Sequence, residues 1–398
     1  MSTYLREVAN RLVSFDTVSS KSNVEAMEYL GAHLRDHKFQ VAFHRMEIGG
    51  VPKANLIAYA GPPEPNGLII SGHVDVVPFT GQPGWRRDPL HLEVTDSRVY
   101  GRGTSDMKVF LAQCVEAAAR LDISTLKQPL AFLFTADEEV GCLGAARLLP
   151  VLPEFFRDIP QPRQAWIGEP TSSQIGYTHK SIAVFTITVR GKGGHSSIPE
   201  QGVNAIAVAG KVIDTIGRYQ AELRMQRSTI FAREFPESPY TTLNFGIVRG
   251  GTAANMIAEE CTLQVSYRSL PDVDPLVVYW EIARRIQTID LHDYGSPQHE
   301  GTIVVGEPFV VPPLLSPRET PLESVLLAVH NQRESGGVPF ATDGCQLAQA
   351  GITSIVCGPG DLDQAHQPNE SIRREAFEQG TDVILSVVHL LCGATERR

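Results

Sequence analysis

Short runs of almost wholly apolar residues occur at four places in the chain and predict β-strands. They are residues 68–70, 130–134, 165–167 and 354–357. Runs without alternation are typical of strands whose two faces are both covered by helices. Residues 106–121 and 381–391 have helical periodicity. Strands and helices in this arrangement predict an α/β domain with a mixed, largely parallel sheet between helices.

The middle of the chain has a different pattern, in which apolar and polar residues alternate. In 185–190 and 263–268, every apolar residue is followed by a polar one. This alternation predicts strands with one face towards solvent. Helical periodicity in 204–219 and 274–288 accompanies these strands. Together the four segments predict a separate α+β domain.

The length of the chain also favours two domains. A single hydrophobic core stops growing at roughly 250–300 residues, and this chain has 398. We therefore predict that residues 1–178 and 306–398 form the α/β domain. Residues 179–305 form the α+β domain inserted into it.

Composition narrows the range of compartments and partners. The six cysteines are scattered, with no Cys-x-x-Cys pair, which argues against a disulfide framework or a thiolate zinc site and favours the reducing cytoplasm. No apolar run reaches ~20 residues, so no membrane span is predicted, and the N-terminus does not resemble a signal peptide. The net charge is −10 without a basic run, so nucleic acid is not an expected partner.

Histidines and carboxylates follow the predicted buried strands. His73 and Asp75 come after the first strand, residues 137–139 (DEE) after the second, Glu169 after the third and His366 after the fourth. In α/β sheets, functional groups sit at the carboxyl ends of the strands. Taken singly, each has an ordinary explanation as a polar turn or a solvated acidic loop. Three consecutive carboxylates, however, repel one another unless a positive charge neutralises them.

One further carboxylate, Asp106, begins the predicted helix 106–121 after two glycines. A helix-capping aspartate is the ordinary explanation for such a position. As a set, however, two histidines and several carboxylates are the ligands that suit Zn²⁺. The set holds too much imidazole for a calcium site. We therefore favour a metal centre at one edge of the sheet.

Five motifs resemble the M20 family of metallopeptidases and deacylases, in family order across nearly the whole chain. They are 71–75 (SGHVD), 101–108 (GRGTSDMK), 137–139 (DEE), 168–171 (GEPT) and 194–197 (GHSS). Within the family, 249–255 (RGGTAAN) and 365–370 (AHQPNE) look most like the acetylornithine deacetylase branch. One departure is Val109, where family members often have glycine after Asp-Met-Lys.

The resemblance implies a two-zinc site, with Co²⁺ as a possible substitute. His73 and Glu169 would bind one zinc, and Glu139 and His366 the other. Asp106 would bridge the two metals, and the peptide bond after it would be cis.

The resemblance also implies roles for residues that do not bind metal. Asp75 would orient the first histidine, and Glu138 would be the general base. His195, in an inserted lid and dimerisation domain, would reach across a homodimer interface and stabilise the oxyanion. Arg268 would bind the α-carboxylate of the substrate, with Asn255 nearby.

The implied function is hydrolysis of the amide bond of an N-acyl amino acid. N2-acetylornithine is the expected substrate, giving ornithine and acetate for arginine biosynthesis. Two alternatives stay open within the family: a carboxypeptidase or dipeptidase, and a deacylase for another N-acyl amino acid. A non-catalytic binding protein of the same fold ranks lower, because the candidate base and all five candidate ligands are present. A serine hydrolase is disfavoured because the chain has no Gly-x-Ser-x-Gly motif.

Overall fold

The computed structural model describes residues 2–291 and 301–397. The chain divides into two compact units, Met1–Thr178 with Leu314–Arg398, and His179–Pro313. The second unit starts where the sequence placed the inserted domain, but it ends at Pro313 instead of residue 305. The later end follows from strand pairing, because Phe309–Val311 pairs in antiparallel with residues 182–184 of the second unit.

Ten α-helices lie in the described parts of the chain. They are α1 (Thr3–Ser14), α2 (Val24–Asp36), α3 (Lys108–Arg120), α4 (Leu143–Leu148), α5 (Leu152–Phe155), α6 (Ala205–Met225), α7 (Pro275–Gln287), α8 (Pro321–Val329), α9 (Gly344–Gln349) and α10 (Arg374–Cys392). The four predicted helices correspond to α3, α6, α7 and the C-terminal part of α10.

The same residues contain twenty-one strands, many of them only two or three residues long. They are β1 (Gln40–Ile48), β2 (Val51–Ala60), β3 (Leu68–His73), β4 (Glu93–Val94), β5 (Arg98–Tyr100), β6 (Leu121–Asp122), β7 (Leu130–Thr135), β8 (Gln164–Ile167), β9 (Gly176–His179), β10 (Ile182–Arg190), β11 (Gly194–His195), β12 (Thr242–Gly250), β13 (Met256–Ile257), β14 (Glu260–Arg268), β15 (Thr302–Val305), β16 (Phe309–Val311), β17 (Leu314–Leu315), β18 (Gly336–Gly337), β19 (Thr353–Val356), β20 (Ser371–Arg373) and β21 (Thr395–Glu396).

The first unit is built on one mixed sheet with the order β1-β2-β7-β3-β8-β19-β9-β17. The four central strands, β7, β3, β8 and β19, are parallel, whereas β1, β2 and β7 pair in antiparallel. The four continuously apolar runs are these four parallel strands. The predicted mixed, largely parallel sheet is therefore confirmed. Because the four strands run in one direction, their carboxyl ends meet at one edge of the sheet.

Helices cover the central strands, and this explains why the runs are apolar at every position. All six residues of β3 and all six of β7 are buried. Helix α3 packs between α1 and α10 and is buried from Lys108 to Ala118. Val109, where the family often has glycine, is part of this core and is fully buried. Gly72 on β3 lies close to α3, since a Cβ there would lie 2.4 Å from the terminal methyl group of Met107.

The second unit contains a five-stranded sheet built from antiparallel pairs, with the order β12-β14-β10-β15 and with β16 also pairing β10. Along β10 and β14, buried residues alternate with more exposed ones, as the alternating pattern predicted. Helices α6 and α7 bury their apolar faces in the core of this unit.

All six cysteines are free and buried. Within the described residues, no helix is both long enough and apolar enough to cross a membrane.

We predict that Phe132→Ala destabilises the first unit strongly. Phe132 is fully buried, and its ring lies 5.3 Å from that of Phe39 and 6.0 Å from that of Phe134. Removing the ring from a packed core should lower the free energy of unfolding by about 3–5 kcal/mol. Leu390→Ala is the control, because Leu390 is 58% exposed and its truncation should change stability by less than about 0.5 kcal/mol. Equal effects in denaturant unfolding would contradict this account of the core.

Candidate metal centre

Four strand ends bring the candidate ligands to one edge of the parallel sheet. His73 is the last residue of β3, and Glu169 follows the end of β8 by two residues. Glu138 and Glu139 lie in the turn after β7, and His366 lies in the loop that follows β19. The parallel direction of the strands therefore explains why residues so far apart in sequence come together.

The Asp106 carboxylate lies between two histidines. Its Oδ1 is 3.0 Å from His73 Nε2, and its Oδ2 is 3.3 Å from His366 Nε2. Helix α3 begins only at Lys108, with Met107 as its cap residue and no side-chain cap, so Asp106 is not the helix cap that its position also suggested. The Asp106–Met107 peptide bond is cis, as the family resemblance implies.

The remaining carboxylates surround this pair of histidines. Glu169 Oε1 is 3.7 Å from His73 Nε2, and Glu139 Oε2 is 3.0 Å from His366 Nε2. Two groups have ligand atoms that all lie within 4.8 Å of one another: His73 with Asp106 and Glu139, and His73 with Glu138 and Glu169. Glu169 Oε1 is buried, and within residues 2–291 and 301–397 it has no hydrogen-bond partner. A carboxylate oxygen held in this way fits a metal ligand.

The electrostatics of the cluster favour a cation. Burial, reinforced by the charge of Glu169, raises the pKa of Glu138 well above its usual range. Burial, reinforced by Asp106, likewise raises the pKa of Glu139 to about 7. Burial disfavours the charged imidazole of His73, but the carboxylates of Glu169, Asp106 and Asp75 together raise its pKa well above the usual value. The acids cannot all ionise together without added positive charge, and divalent metals would supply it.

A further buried carboxyl group, Asp343, adds to this negative charge. Burial raises its pKa to about 7, and Thr135 donates a hydrogen bond to its Oδ2. Its charge contributes to the raised pKa values of both Glu138 and Glu169. Sequence reasoning did not single out this residue.

Asp75 supports both the first histidine and the Glu138–Glu139 turn. The His73 Nδ1 donates to the backbone carbonyl oxygen of Asp75 at 3.0 Å, and the Asp75 carboxylate lies 3.6 Å away. A carbonyl oxygen can only accept, so Nδ1 carries the proton and Nε2 is the nitrogen that faces Asp106 and Glu169. The Asp75 carboxylate accepts from the backbone N–H groups of Glu138 and Glu139 and from the Ser19 hydroxyl.

Asp137, the first of the three consecutive acids 137–139, has its own counter-ion. Asp137 Oδ1 accepts a hydrogen bond from Lys53 Nζ at 2.5 Å, and both side chains are almost fully buried. Lys53 also donates to the carbonyl oxygens of Ser19 and Lys21. The lysine therefore neutralises Asp137, and Glu138 and Glu139 are left for the cluster.

Glu370 holds the backbone on which Asp106 lies. Its Oε1 accepts from the N–H groups of Ser105 and Asp106 at 2.9 and 3.0 Å. Its Oε2 accepts from Arg102 Nη1 at 2.7 Å, in an ion pair that is 1% exposed on both sides. Burial raises the pKa of Glu370, and the nearby charge of Arg102 lowers it in opposition. Sequence reasoning noted the motif 365–370 but gave no role to this residue.

The same network reaches the second histidine. Arg102 Nη2 donates to Gln82 Oε1 at 2.7 Å, and Gln82 Nε2 donates to the backbone carbonyl oxygen of His366 at 2.7 Å. The guanidinium also lies 5.1 Å from the Trp85 ring centroid. Glu370 and Arg102 therefore connect the Asp106 turn to the His366 loop.

The other three residues implied by the resemblance lie in the second unit. His195 ends β11, which pairs with β13, and its Nδ1 is 2.7 Å from the Ser197 hydroxyl. The backbone oxygen of Asn255 accepts from the N–H of Ser196. The His195 and Asn255 segments are thus neighbours within this unit, and the His195 side chain is exposed.

Arg268, the last residue of β14, is a partly buried cation. Burial lowers its pKa, and it makes no ion pair with the residues that the structure describes. Lys180 is near enough for the two charges to interact, and burial together with Arg268 lowers the pKa of Lys180 to about 8. Lys180 Nζ already donates to the carbonyl oxygens of Ser238 and Tyr240 and to the Ser238 hydroxyl, so Arg268 is the cation of this pair that suits an anionic group.

We predict that Glu370→Gln weakens metal binding without unfolding the chain. The amide keeps the size of the side chain, but it removes the charge that pairs with Arg102 and cannot accept from both N–H groups as strongly. Loss of a group that supports metal ligands should cost about 10–100-fold in metal affinity, measured by competition with a chromophoric chelator. The exposed Glu64→Gln is the matched control. An unchanged affinity in a folded Glu370→Gln variant would show that the network does not position the ligands.

The chain is similar to known proteins in both sequence and fold. Residues 69–390 match Peptidase family M20/M25/M40. The chain is 34% identical over 387 residues to an acetylornithine deacetylase of Erwinia tasmaniensis, covering 95% of this chain and 93% of that protein. In fold, it is similar to an M20 metallo-carboxypeptidase of Sulfolobus solfataricus, with a TM-score of 0.75, 18% identity and 98% and 99% of the two chains covered. It is also similar to a dinuclear metal-binding M20 peptidase of Bacillus subtilis, with a TM-score of 0.66, 17% identity and 98% of each chain covered.

The match extends over most of the sequence and includes every candidate ligand. The family resemblance carried by the five motifs is therefore confirmed. The chain belongs to peptidase family M20/M25/M40 and is a hydrolase.

Proposed function

We propose that this protein is a two-zinc deacylase that hydrolyses the amide bond of an N-acyl amino acid, with N2-acetylornithine as the substrate. The observation that carries the proposal is the Asp106 carboxylate between His73 and His366, with an oxygen facing each ring. A carboxylate in this position suits a bridge between two metals. Cobalt is the expected substitute for zinc.

The proposed ligands divide into two sets. His73 and Glu169 would hold one metal, Glu139 and His366 the other, and Asp106 both. Histidine nitrogen and carboxylate oxygen are common zinc ligands. The raised pKa values of Glu139 and Glu169 support the proposal, because both acids need a cation nearby in order to ionise.

Amide hydrolysis needs an activated water and a protonated leaving nitrogen. When bound, the metals would supply Lewis-acid polarisation of the carbonyl oxygen and make water more acidic. Glu138 would accept the proton of the attacking water and deliver it to the departing amine. Its raised pKa supports this role, since a carboxylate of low pKa would accept the proton of water poorly. Asp75 would keep His73 in the tautomer that leaves Nε2 for the metal.

The substrate assignment depends on relatives and on one arginine. The similar protein of Erwinia tasmaniensis is named acetylornithine deacetylase, and Glu169 matches the residue type that goes with deacylases and carboxypeptidases in this family. We assign Arg268 to the α-carboxylate of the substrate, with Asn255 as a nearby contact. The absence of an ion pair to Arg268 within residues 2–291 and 301–397 supports this role.

The remaining assignments complete the proposal. The protein would act as a homodimer in which His195 stabilises the oxyanion in the active site of the second copy. Its exposed imidazole supports a role outside its own unit. The reaction would release ornithine and acetate for arginine biosynthesis in the cytoplasm.

A panel assay of the zinc-loaded protein tests the reaction and the substrate together. Release of free amine would be followed with Nα-acetyl amino acids, including acetylornithine and acetylcitrulline, and with dipeptides. Strong turnover of acetylornithine supports the proposal. Turnover of dipeptides alone would make the chain a peptidase of the same family. Failure to turn over any substrate in the metal-loaded form would favour a binding protein of the same fold.

We predict that Glu138→Gln lowers kcat on the preferred substrate by about 10²–10⁴-fold, since a positioned acid–base group contributes that factor. The amide cannot accept or return a proton, but it keeps the size of the side chain. Zinc content and thermal stability are measured beside kcat, and Glu64→Gln is the control. If the Glu138→Gln variant retained both its zinc and most of its activity, Glu138 would not be the general base.

We predict that metal removal destabilises the first unit. A ligand that binds only the folded state at a hundred times its Kd adds about 2.7 kcal/mol to the free energy of unfolding. A chelator should therefore lower the Tm, and Zn²⁺ or Co²⁺ should restore it. When metal is added back, the His366→Ala variant should regain less of its lost Tm, because one of the two proposed sets of metal ligands then lacks its histidine. A Tm that does not respond to chelator or metal would contradict a metal centre.

A further inference from the structure

Lys180 is a buried cation that is held by uncharged groups. It lies two residues before β10 in the second unit, and only 7% of it is exposed. Its Nζ donates to the carbonyl oxygens of Ser238 and Tyr240 at 2.5 and 2.8 Å and to the Ser238 hydroxyl at 3.2 Å. The rings of Phe235 and Tyr240 lie 5.3 and 5.9 Å from Nζ. An ammonium group has three N–H bonds, and these contacts use all of them.

The charge of Lys180 is not cancelled by an acid. Buried lysines are usually paired with a carboxylate, but no acid pairs with Lys180 among residues 2–291 and 301–397. Neutral oxygen atoms take that place. The remaining positive charge is close enough to Arg268 for the two cations to repel each other. A carboxylate bound at Arg268 would relieve this repulsion.

The segment that Lys180 holds leads directly into the strand beside Arg268. Residues 238–240 come just before β12, whose first residue is Thr242. Thr242 is the antiparallel partner of Arg268, the last residue of β14. The hydrogen bonds of Lys180 therefore fix the chain two residues before the one that pairs with Arg268.

The residue after Lys180 fixes the chain on the other side of Arg268. The Ser181 hydroxyl lies 2.6 Å from the Ser269 hydroxyl and accepts from the Ser269 N–H at 2.9 Å. The Ser181 N–H donates to the carbonyl oxygen of Ser269 at 3.1 Å. Residues 180 and 181 together therefore hold the backbone beside Arg268 and the backbone directly after it.

We propose that Lys180 is a positioning residue for substrate recognition. It holds the strand ends around Arg268 and adds its own positive charge behind the guanidinium, and Arg268 then binds the α-carboxylate of the substrate. Because its three N–H bonds are used by the protein, Lys180 acts through Arg268 and not by touching the substrate. The inference rests on the proposed function, in which Arg268 is assigned to that carboxylate.

The pH dependence of binding tests the role of the charge. Burial, together with the charge of Arg268, lowers the pKa of Lys180 to about 8. Lys180 therefore loses its proton between about pH 7 and pH 9, whereas an arginine keeps its charge in this range. A carboxylate that favours the charged lysine must then bind more weakly at the higher pH. The other ionisable side chains close to Lys180 are Tyr240 and, over the Tyr240 ring, Arg227.

Calorimetric titration of the zinc-loaded Glu138→Gln full chain measures binding without turnover. The ligand is the preferred substrate of the panel assay, N2-acetylornithine on the proposed function. Its α-amide is the control ligand, because it lacks the carboxylate and meets the same titrating groups of the protein. We expect the affinity for the acid to fall about fivefold or more from pH 7 to pH 9, and the affinity for the amide to change by less than about twofold.

Substitutions at position 180 separate the charge from the size of the side chain. At pH 7, Lys180→Met should weaken binding of the acid about tenfold and leave binding of the amide nearly unchanged, the loss of about 1.4 kcal/mol. Lys180→Arg stays charged, so it should bind the acid and show no fall at pH 9. Lys211→Met, which removes a partly exposed lysine of α6, is the matched control. Thermal unfolding checks that each variant is folded.

Arg268→Met distinguishes a failure of this inference from a failure of the proposed function. If that variant binds the acid as well as the unchanged chain does, the assignment of Arg268 is wrong and both are overturned. If Arg268→Met loses the acid but a folded Lys180→Met does not, Lys180 has no positioning role. Acid and amide affinities that follow the same course from pH 7 to pH 9 would also overturn the inference, and this comparison needs no change at position 180.

Discussion

Repulsion between buried carboxylates is the constraint on which the first unit depends. Asp106, Glu138, Glu139 and Glu169 converge on two histidines at the end of a parallel sheet. At an effective dielectric constant of about 20, two like charges 4 Å apart repel by about 4 kcal/mol. Several such pairs in one cluster are unstable without cations. Burial raises the pKa values of Glu138, Glu139 and Glu169, and the charges of neighbouring carboxylates raise them further. The fold therefore holds the candidate ligands in place against their own repulsion.

Three sets of contacts resist that repulsion from outside the cluster. Asp75 fixes the His73 ring and the turn after β7. Lys53 forms an ion pair with Asp137, so the charge of Asp137 adds little to the repulsion within the cluster. Glu370 and Arg102 join the Asp106 turn to the His366 loop. In each set, the charged groups form ion pairs or accept hydrogen bonds from backbone N–H groups. These supporting residues therefore add little unpaired charge near the cluster.

The sequence predicted the sheet, and it predicted that the candidate ligands lie along one edge of it, because both expectations follow from local patterns. Continuous apolar runs identify buried parallel strands, and the carboxyl ends of such strands share one edge. The supporting residues could not be found in this way. Arg102 and Glu370 are 268 positions apart, and no local pattern indicates which arginine pairs with which acid. Asp343 is likewise indistinguishable in sequence from a surface acid. The end of the inserted unit was placed too early because β16, a strand of three residues, is too short to show an alternation.

The order of strands in the main sheet has a consequence for synthesis on the ribosome. Strand β19 lies between β8 and β9, yet the ribosome makes it only after the whole of His179–Pro313. While the second unit emerges and folds, the nascent first unit has β8 with one edge unpaired, and unpaired edges invite wrong partners. His366 is made later still. A ribosome that stalls before this point therefore leaves a chain that has all of its acidic candidate ligands but lacks the second histidine.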